Sequence, residues 1–163
     1  MKTIQDVPML LRREIEAKMI APFYDAFVEE IGKERTDEIV RKVIADLARQ
    51  AGAAMVKEKP EGKNVLTFFK ESVTPRFAAG GALEPEYKEL SDTRVLMDIK
   101  RCAYVQMYKD MGRADLGPLL SCQRDEFLFK GMDPRICFKR TGTIMEGNPV
   151  CDFCLELQNQ PEG

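Results

Sequence analysis

The sequence predicts an α+β fold: amino-terminal helices, then a four-stranded antiparallel sheet in the order ββααββ, with helices packed on one of its faces. Three observations carry this expectation. Apolar side chains recur at helical spacing through residues 1–80, the period changes to alternation within residues 81–157, and the strands arrive as sequential pairs. Such pairs favour antiparallel pairing with one covered face. At 163 residues, with 44% hydrophobic and 32% charged side chains, the chain reads as a single domain over 1–163, with a frayed tail at 158–163.

The elements follow in order. Asp6 is a candidate cap for a helix beginning near Pro8, and Ile15, Met19, Phe23, Phe27 and Ile31 recur at helical spacing until Gly32 ends the run. Pro22 predicts a kink or split, because it lacks an amide donor and clashes with the preceding turn. Thr36, Asp37 and Glu38 read as a helix start, and Ile39, Val43, Ile44, Leu47, Ala48 and Ala51 form one face through about Met55. A shorter helix over 64–77, interrupted by Pro75, closes at Gly80-Gly81. Alternation predicts a strand over 94–102, paired with 86–90 across Ser91-Asp92. Residues 104–111 read as a helix stopped by Gly112, and Asp115 caps another running to Lys130 and ended by Gly131. After a turn at Asp133-Pro134, residues 135–145 and 150–157 form a final hairpin across residues 146–149.

Composition excludes several functions. With 25 basic against 27 acidic side chains, the chain lacks the basic excess that nucleic-acid binding needs. No apolar run approaches the ~20 residues of a membrane span and no signal-peptide pattern precedes the first helix, so the expected address is the cytosol. There is no His, so acid–base chemistry must fall to Asp, Glu, Cys, Lys or Tyr. The five Cys are odd in number and read as reduced thiols. Cys151-x-x-Cys154 is a weak metal motif, because residues three apart on a strand face opposite ways and no second ligand pair exists. No metal and no cofactor are expected.

Strand parity sorts the polar side chains. Arg140 falls on the face of Ile136, Phe138 and Ile144, and Arg101 on that of Val95, Met97 and Ile99. A guanidinium on an apolar face needs a carboxylate, from within the protein or from an anionic ligand. Parity puts Cys151 with Phe153 and Leu155, and sets Asp152 and Cys154 opposite them. Cys122 sits about one turn before Asp125 and Glu126, near Arg124. It reads either as a nucleophile whose thiolate an arginine stabilises or as a small buried hydrophobe.

A set of segments then resembles one family in register. These are Arg12-Arg13-Glu14-Ile15-Glu16-Ala17, Arg101-Cys102-Ala103-Tyr104, the run from Leu116 through Cys122 to Asp125, Phe138-Lys139-Arg140-Thr141-Gly142-Thr143, Met145-Glu146-Gly147 and Cys151-Asp152-Phe153. Together they are similar to the bacterial L-2-amino-thiazoline-4-carboxylic acid hydrolases. Ala103 and Cys154 depart from the family's pattern, and no catalytic role passes to Cys154. The end of the chain also resembles 4-vinyl-reductase-like small-molecule sensor domains, which implies a ligand cavity between sheet and helices. The resemblance implies hydrolytic opening of a cyclic isothiourea that bears a carboxylate, towards carbamoyl-cysteine and cysteine. The implied catalytic set is Cys122, Asp125, Cys151 and Asp152. The implied substrate-binding set is Arg101, Tyr104, Arg140, Thr141, Thr143 and Glu146. The attacking group stays open between the Cys122 thiolate and a water activated by Asp125, Asp152 or Glu146. A non-catalytic sensor or carrier with the same cavity is the alternative, and a thiol-based metal protein rests on the five Cys alone. The expected partner is a small carboxylate-bearing molecule, with self-association left open.

Overall fold

A tight reversal at Gly32, whose φ of +81° suits a residue without Cβ, joins two long helices, α1 (Met9–Ile31) and α2 (Lys33–Val56). The structure, a computed structural model, describes residues 4–158; the expected frayed tail lies outside it except for Gln158, whose amide donates to the Arg135 carbonyl. Pro8, not Asp6, occupies the cap position of α1, and α1 runs unbroken through Pro22. Pro22 lies on the exposed side, where the carbonyl it leaves unpaired has water for a partner.

The apolar run of α1 is not its core face. Ile15, Met19, Phe23, Phe27 and Ile31 are all exposed, whereas Ala17, Ala21 and Tyr24 are buried. A repeat of four residues advances about 40° per step around a helix of 3.6 residues per turn, so the run winds off any single face. In α2 the same thing divides the expected face: Ile44 and Ala48 are buried, and Ile39, Val43 and Leu47 are exposed.

Asn64 caps α3 (Val65–Phe68), accepting from the amides of Leu66 and Thr67. A π-helical turn (Phe69–Val73) and α4 (Thr74–Ala78) complete this segment, with Pro75 tolerated in the first turn of α4. Gly80 and Gly81, at φ +66° and +74°, lead into the sheet.

β1 (Leu83–Leu90) and β2 (Arg94–Cys102) form the expected hairpin, with β1 three residues longer at its start. α5 (Ala103–Asp110) follows and Gly112 ends it at φ +66°. The single helix expected over 115–130 is three pieces: a 3-10 turn (Ala114–Leu116), a π-helical turn (Pro118–Cys122) and α6 (Arg124–Met132). Gly131 lies inside α6 rather than ending it. A Cβ there would stand 2.1 Å from the Arg49 carbonyl oxygen, and one at Gly52 would stand 2.1 Å from that of Leu128. Both glycines are where α2 and α6 cross backbone to backbone.

The last hairpin is shorter than alternation predicts. β3 (Ile136–Lys139) stops before Arg140, and β4 (Cys151–Leu157) pairs with both β3 and β2, giving the antiparallel order β1-β2-β4-β3. Side chains of Val95, Met97, Ile99, Cys151 and Leu155 point to one face and pack with Leu66, Phe69, Val73 and Phe129. The opposite face is polar, with Asp98 held by Lys88 at 2.6 Å and by Lys100 at 3.2 Å. A second cluster joins α1 to α5 and the 116–120 segment through Ala17, Ala21, Tyr108, Leu116 and Leu120.

Candidate functional site

Between the covered face of the sheet and the helices lies a cavity of about 120 Å³. The sheet supplies Met97, Ile99, Cys151 and Phe153, α2 supplies Ala48 and Ala51, and Phe69, Thr74 and Phe77 come from the segment before β1. Leu128 and Phe129 of α6 close it. Phe129 anchors the apolar end, with ring centroids of Phe69 and Phe138 each at 5.1 Å and that of Phe153 at 6.3 Å.

The other end is charged. Arg13, Tyr104, Ser121, Cys122, Arg124, Asp125 and Arg140 line it. The π-helical turn at Pro118–Cys122, with the Gln123 amide donating to the Pro118 carbonyl five residues back, widens the backbone at Cys122. Arg140 donates through Nη1 to Asp125 Oδ2 at 2.5 Å and through Nη2 to the Cys122 carbonyl at 3.1 Å. Its guanidinium carbon lies 5.5 Å from the ring centroids of both Phe138 and Phe153. Glu16 Oε2 accepts from Arg13 Nη1 at 2.6 Å and from Arg124 Nη2 at 3.1 Å. Three guanidiniums thus stand against two carboxylates.

Burial shifts these groups against their charges. Loss of hydration raises the Asp125 carboxyl to about 6, even though the positive field of Arg140 opposes the change. The part of that side chain still accessible opens onto the cavity. Desolvation, aided by the neighbouring Arg13, lowers Arg124 to about 10. Desolvation also pushes the Cys122 thiol far above its ordinary value, with the Asp125 charge adding to it. The same cause raises Cys151 to about 11. For both thiols burial outweighs the positive field of Arg140, so neither has the stabilised thiolate of a reactive cysteine.

Of the residues singled out from sequence, Cys122, Asp125, Cys151, Tyr104 and Arg140 line the cavity together. Five others do not. Arg101 is at the exposed end of β2, donating to the Gly81 carbonyl at 2.8 Å and lying 3.6 Å from Glu84, because the pairing shifts register between Glu84 and Pro85, leaving Lys100 without an opposite residue and breaking the alternation before Arg101. Asp152 faces the other side of β4, as parity requires, and its carboxylate accepts from the Thr141 amide (3.0 Å), the Thr141 hydroxyl (2.6 Å) and the Gly142 amide (3.0 Å). Burial works against its charge, but these hydrogen bonds prevail and hold its carboxyl below the usual range. Thr141 is therefore an anchor of the Arg140 loop, its amide and that of Gly142 both turned to the Asp152 carboxylate where an edge strand would turn only one of two consecutive amides to its neighbour. Thr143 is buried, its hydroxyl accepting from the Glu146 amide and donating to the Glu146 carboxylate at 2.7 Å. Glu146 lines a separate polar cleft with Lys33, Asp37, Arg41 and Asp115, of which Cys122 and Arg140 form the shared wall.

Helical spacing placed Arg124 beside Cys122, whereas Arg13 and Glu16 are the residues that strand and helix parity did not bring to the site. Arg13 and Glu16 lie in the first of the resembling segments, which was the available signal. Cys151 faces the cavity and Cys154 does not line it. Among the described residues no group of three His, Cys, Asp or Glu side chains is arranged to hold a metal ion.

The fold is similar to that of the phenol-responsive sensory domain of the transcription activator PoxR, solved with phenol. The match has a TM-score of 0.55 at 11% identity and covers 88% of this chain and 75% of that one. No individual curated protein matches the sequence significantly. Residues 12–155, which hold every cavity residue named above, match the family described as L-2-amino-thiazoline-4-carboxylic acid hydrolase, and the chain belongs to that family.

Proposed function

We propose that the protein opens the ring of a small cyclic amidine or isothiourea bearing a carboxylate, with L-2-amino-thiazoline-4-carboxylate as the first candidate. The observation that carries this reading is the charged end of the cavity, where Arg13, Arg124 and Arg140 outnumber Glu16 and Asp125 beside a carboxyl titrating at about 6. A substrate carboxylate takes up the excess guanidinium charge. The protonated amidine faces Asp125. Asp125, ionised at neutral pH, takes a proton from a water that adds to the amidine carbon; the carbon–sulfur bond of the adduct then breaks, and the leaving sulfur takes that proton from Asp125 and departs as a thiol. The Arg140 contact orients Asp125 throughout. Cys122 is in this scheme a wall of the site, because its thiol is held protonated by burial. A cavity of about 120 Å³ suits one small ring, since an apolar cavity of about 150 Å³ holds benzene. Free thiols fit a reducing cytosol as the working compartment.

Incubation with L-2-amino-thiazoline-4-carboxylate, followed by removal of the protein and titration of free thiol in the filtrate, tests the reading. Catalytic thiol release is expected, and its absence with this substrate and close ring analogues overturns the hydrolase. Cys122→Ala separates the two attacking groups: it keeps most turnover if Asp125 activates water and abolishes it if the thiol attacks. A second reading, a non-catalytic small-molecule-binding domain, is favoured by the aromatic walls beyond the charged end. Its signature is thermal stabilisation by the same compounds without product.

A further inference from the structure

The outward side of α1 is as apolar as its buried side. Leu11, Ile15, Met19, Phe23 and Phe27 are between 45% and 64% exposed, and Pro22 and Ala26 between them are exposed as well. At about 100° per residue, Ile15, Met19, Pro22, Phe23 and Ala26 occupy one arc directed away from the buried Ala17, Ala21 and Tyr24. These side chains form a contiguous apolar patch rather than scattered surface hydrophobes, which is the mark of a contact surface.

We propose that this face pairs with the same face of a second copy, the two α1 helices running antiparallel about a two-fold axis near residues 21–22. Charge selects both partner and direction. The first half of α1 carries Arg12, Arg13 and Lys18 together with Glu14 and Glu16, a net charge of +1, and the second half carries Asp25, Glu29 and Glu30, a net charge of −3. Arg12 and Glu30 lie on the same edge of the stripe and equally far from its centre, so the two-fold brings Arg12 against Glu30 of the partner subunit. Arg12 donates its Nε to the Val7 carbonyl at 2.8 Å. Lys18 and Asp25 lie near each other across the opposite edge by the same symmetry, although each already holds an internal partner, Glu14 and Arg113 respectively. Parallel packing would instead set acidic half against acidic half. The interface is separate from the proposed chemistry and stands or falls without it.

Sedimentation velocity of the full chain in low salt, up to about 100 µM, is expected to show a dimer. Met19→Glu with Phe23→Glu is expected to raise the dissociation constant at least about tenfold while the circular dichroism and melting temperature stay near those of the parent, since both side chains are exposed. Arg12→Glu is expected to weaken the dimer, and adding Glu30→Arg to restore it. A parent chain that stays monomeric throughout, or that is monomeric and binds anionic lipid vesicles instead, overturns the proposal. So does a dimer unaffected by the two Glu substitutions. A charge reversal that fails to restore pairing overturns the antiparallel arrangement.

Discussion

The two ends of the cavity are built by opposite means. At the aromatic end, Phe69, Phe129, Phe138 and Phe153 meet edge to face or tilted, and Phe129 is 1% exposed. Each such ring contributes to folding by the area it removes from water. At the charged end, Asp125 and Arg124 lose hydration, and the cost shows in an Asp125 that holds its proton to about 6 and an Arg124 that releases its own near 10. One end is a source of stability. The other is maintained against it, which is the usual mark of a region shaped for a ligand.

Substitutions should separate the two ends. The largest effect is expected from Asp125→Asn, with turnover falling by about 10²–10⁴-fold in steady-state assays of the hydrolysis. The parent's rate should rise with pH through about 6 and then level, as Asp125 ionises. Because the folded carboxyl titrates above its unfolded value, folding takes up a proton between about 4 and 6. This contribution therefore favours the fold at acid pH and declines as pH rises through that window. Urea titrations should show the slope in the parent and lose it in the Asn variant. Phe129→Ala tests the other end: a loss of about 3–5 kcal/mol in unfolding free energy by urea denaturation is expected for truncating a buried ring. Arg140→Lys keeps the charge but loses the two-pronged contact with Asp125 and the Cys122 carbonyl. It should weaken substrate binding by about 1.5–3 kcal/mol, read as the Kd of a non-hydrolysed analogue by calorimetry. Arg101→Lys should change neither KM nor stability by more than about 0.5 kcal/mol, since this guanidinium is exposed and remote from the cavity. A large effect at Arg101 would erase the distinction drawn here between cavity and sheet edge.

Where local chemistry decided the structure, the sequence was legible. Ser91 and Asp92 between alternating segments placed the first hairpin, and the limits of β2 follow alternation at residues 94–102. Within the site, Arg140 was legible as a guanidinium on an otherwise apolar strand face, and Cys122 and Asp125 as neighbours about one helical turn apart inside a resembling segment. What escaped depends on contacts distant in sequence. Gly131 reads as a helix end until Arg49 is seen against it. β3 loses more than half its expected length, and the chain beyond it is held instead by one carboxylate on the neighbouring strand, Asp152, which accepts from the consecutive amides of Thr141 and Gly142. Arg13 reaches the cavity from a helix more than 100 positions before Arg124, and the shared Glu16 that holds both is a contact no local pattern announces. The stripe on α1 was legible as a pattern but not as an outward surface, because the same repeat of four serves a core and an interface equally well.

The crossing at Gly52 and Gly131 reaches further than the two helices it joins. α2 brings Ala48 and Ala51 to one wall of the chamber, and α6 brings Asp125, Leu128 and Phe129 to another. Their spacing is fixed where no side chain intervenes. A methyl group at either glycine would act as a shim, lifting α6 away from α2 and drawing Asp125 back from Arg140. The width of the chamber, and with it the size of molecule admitted, is therefore set by a pair of hydrogen atoms that never touch the ligand.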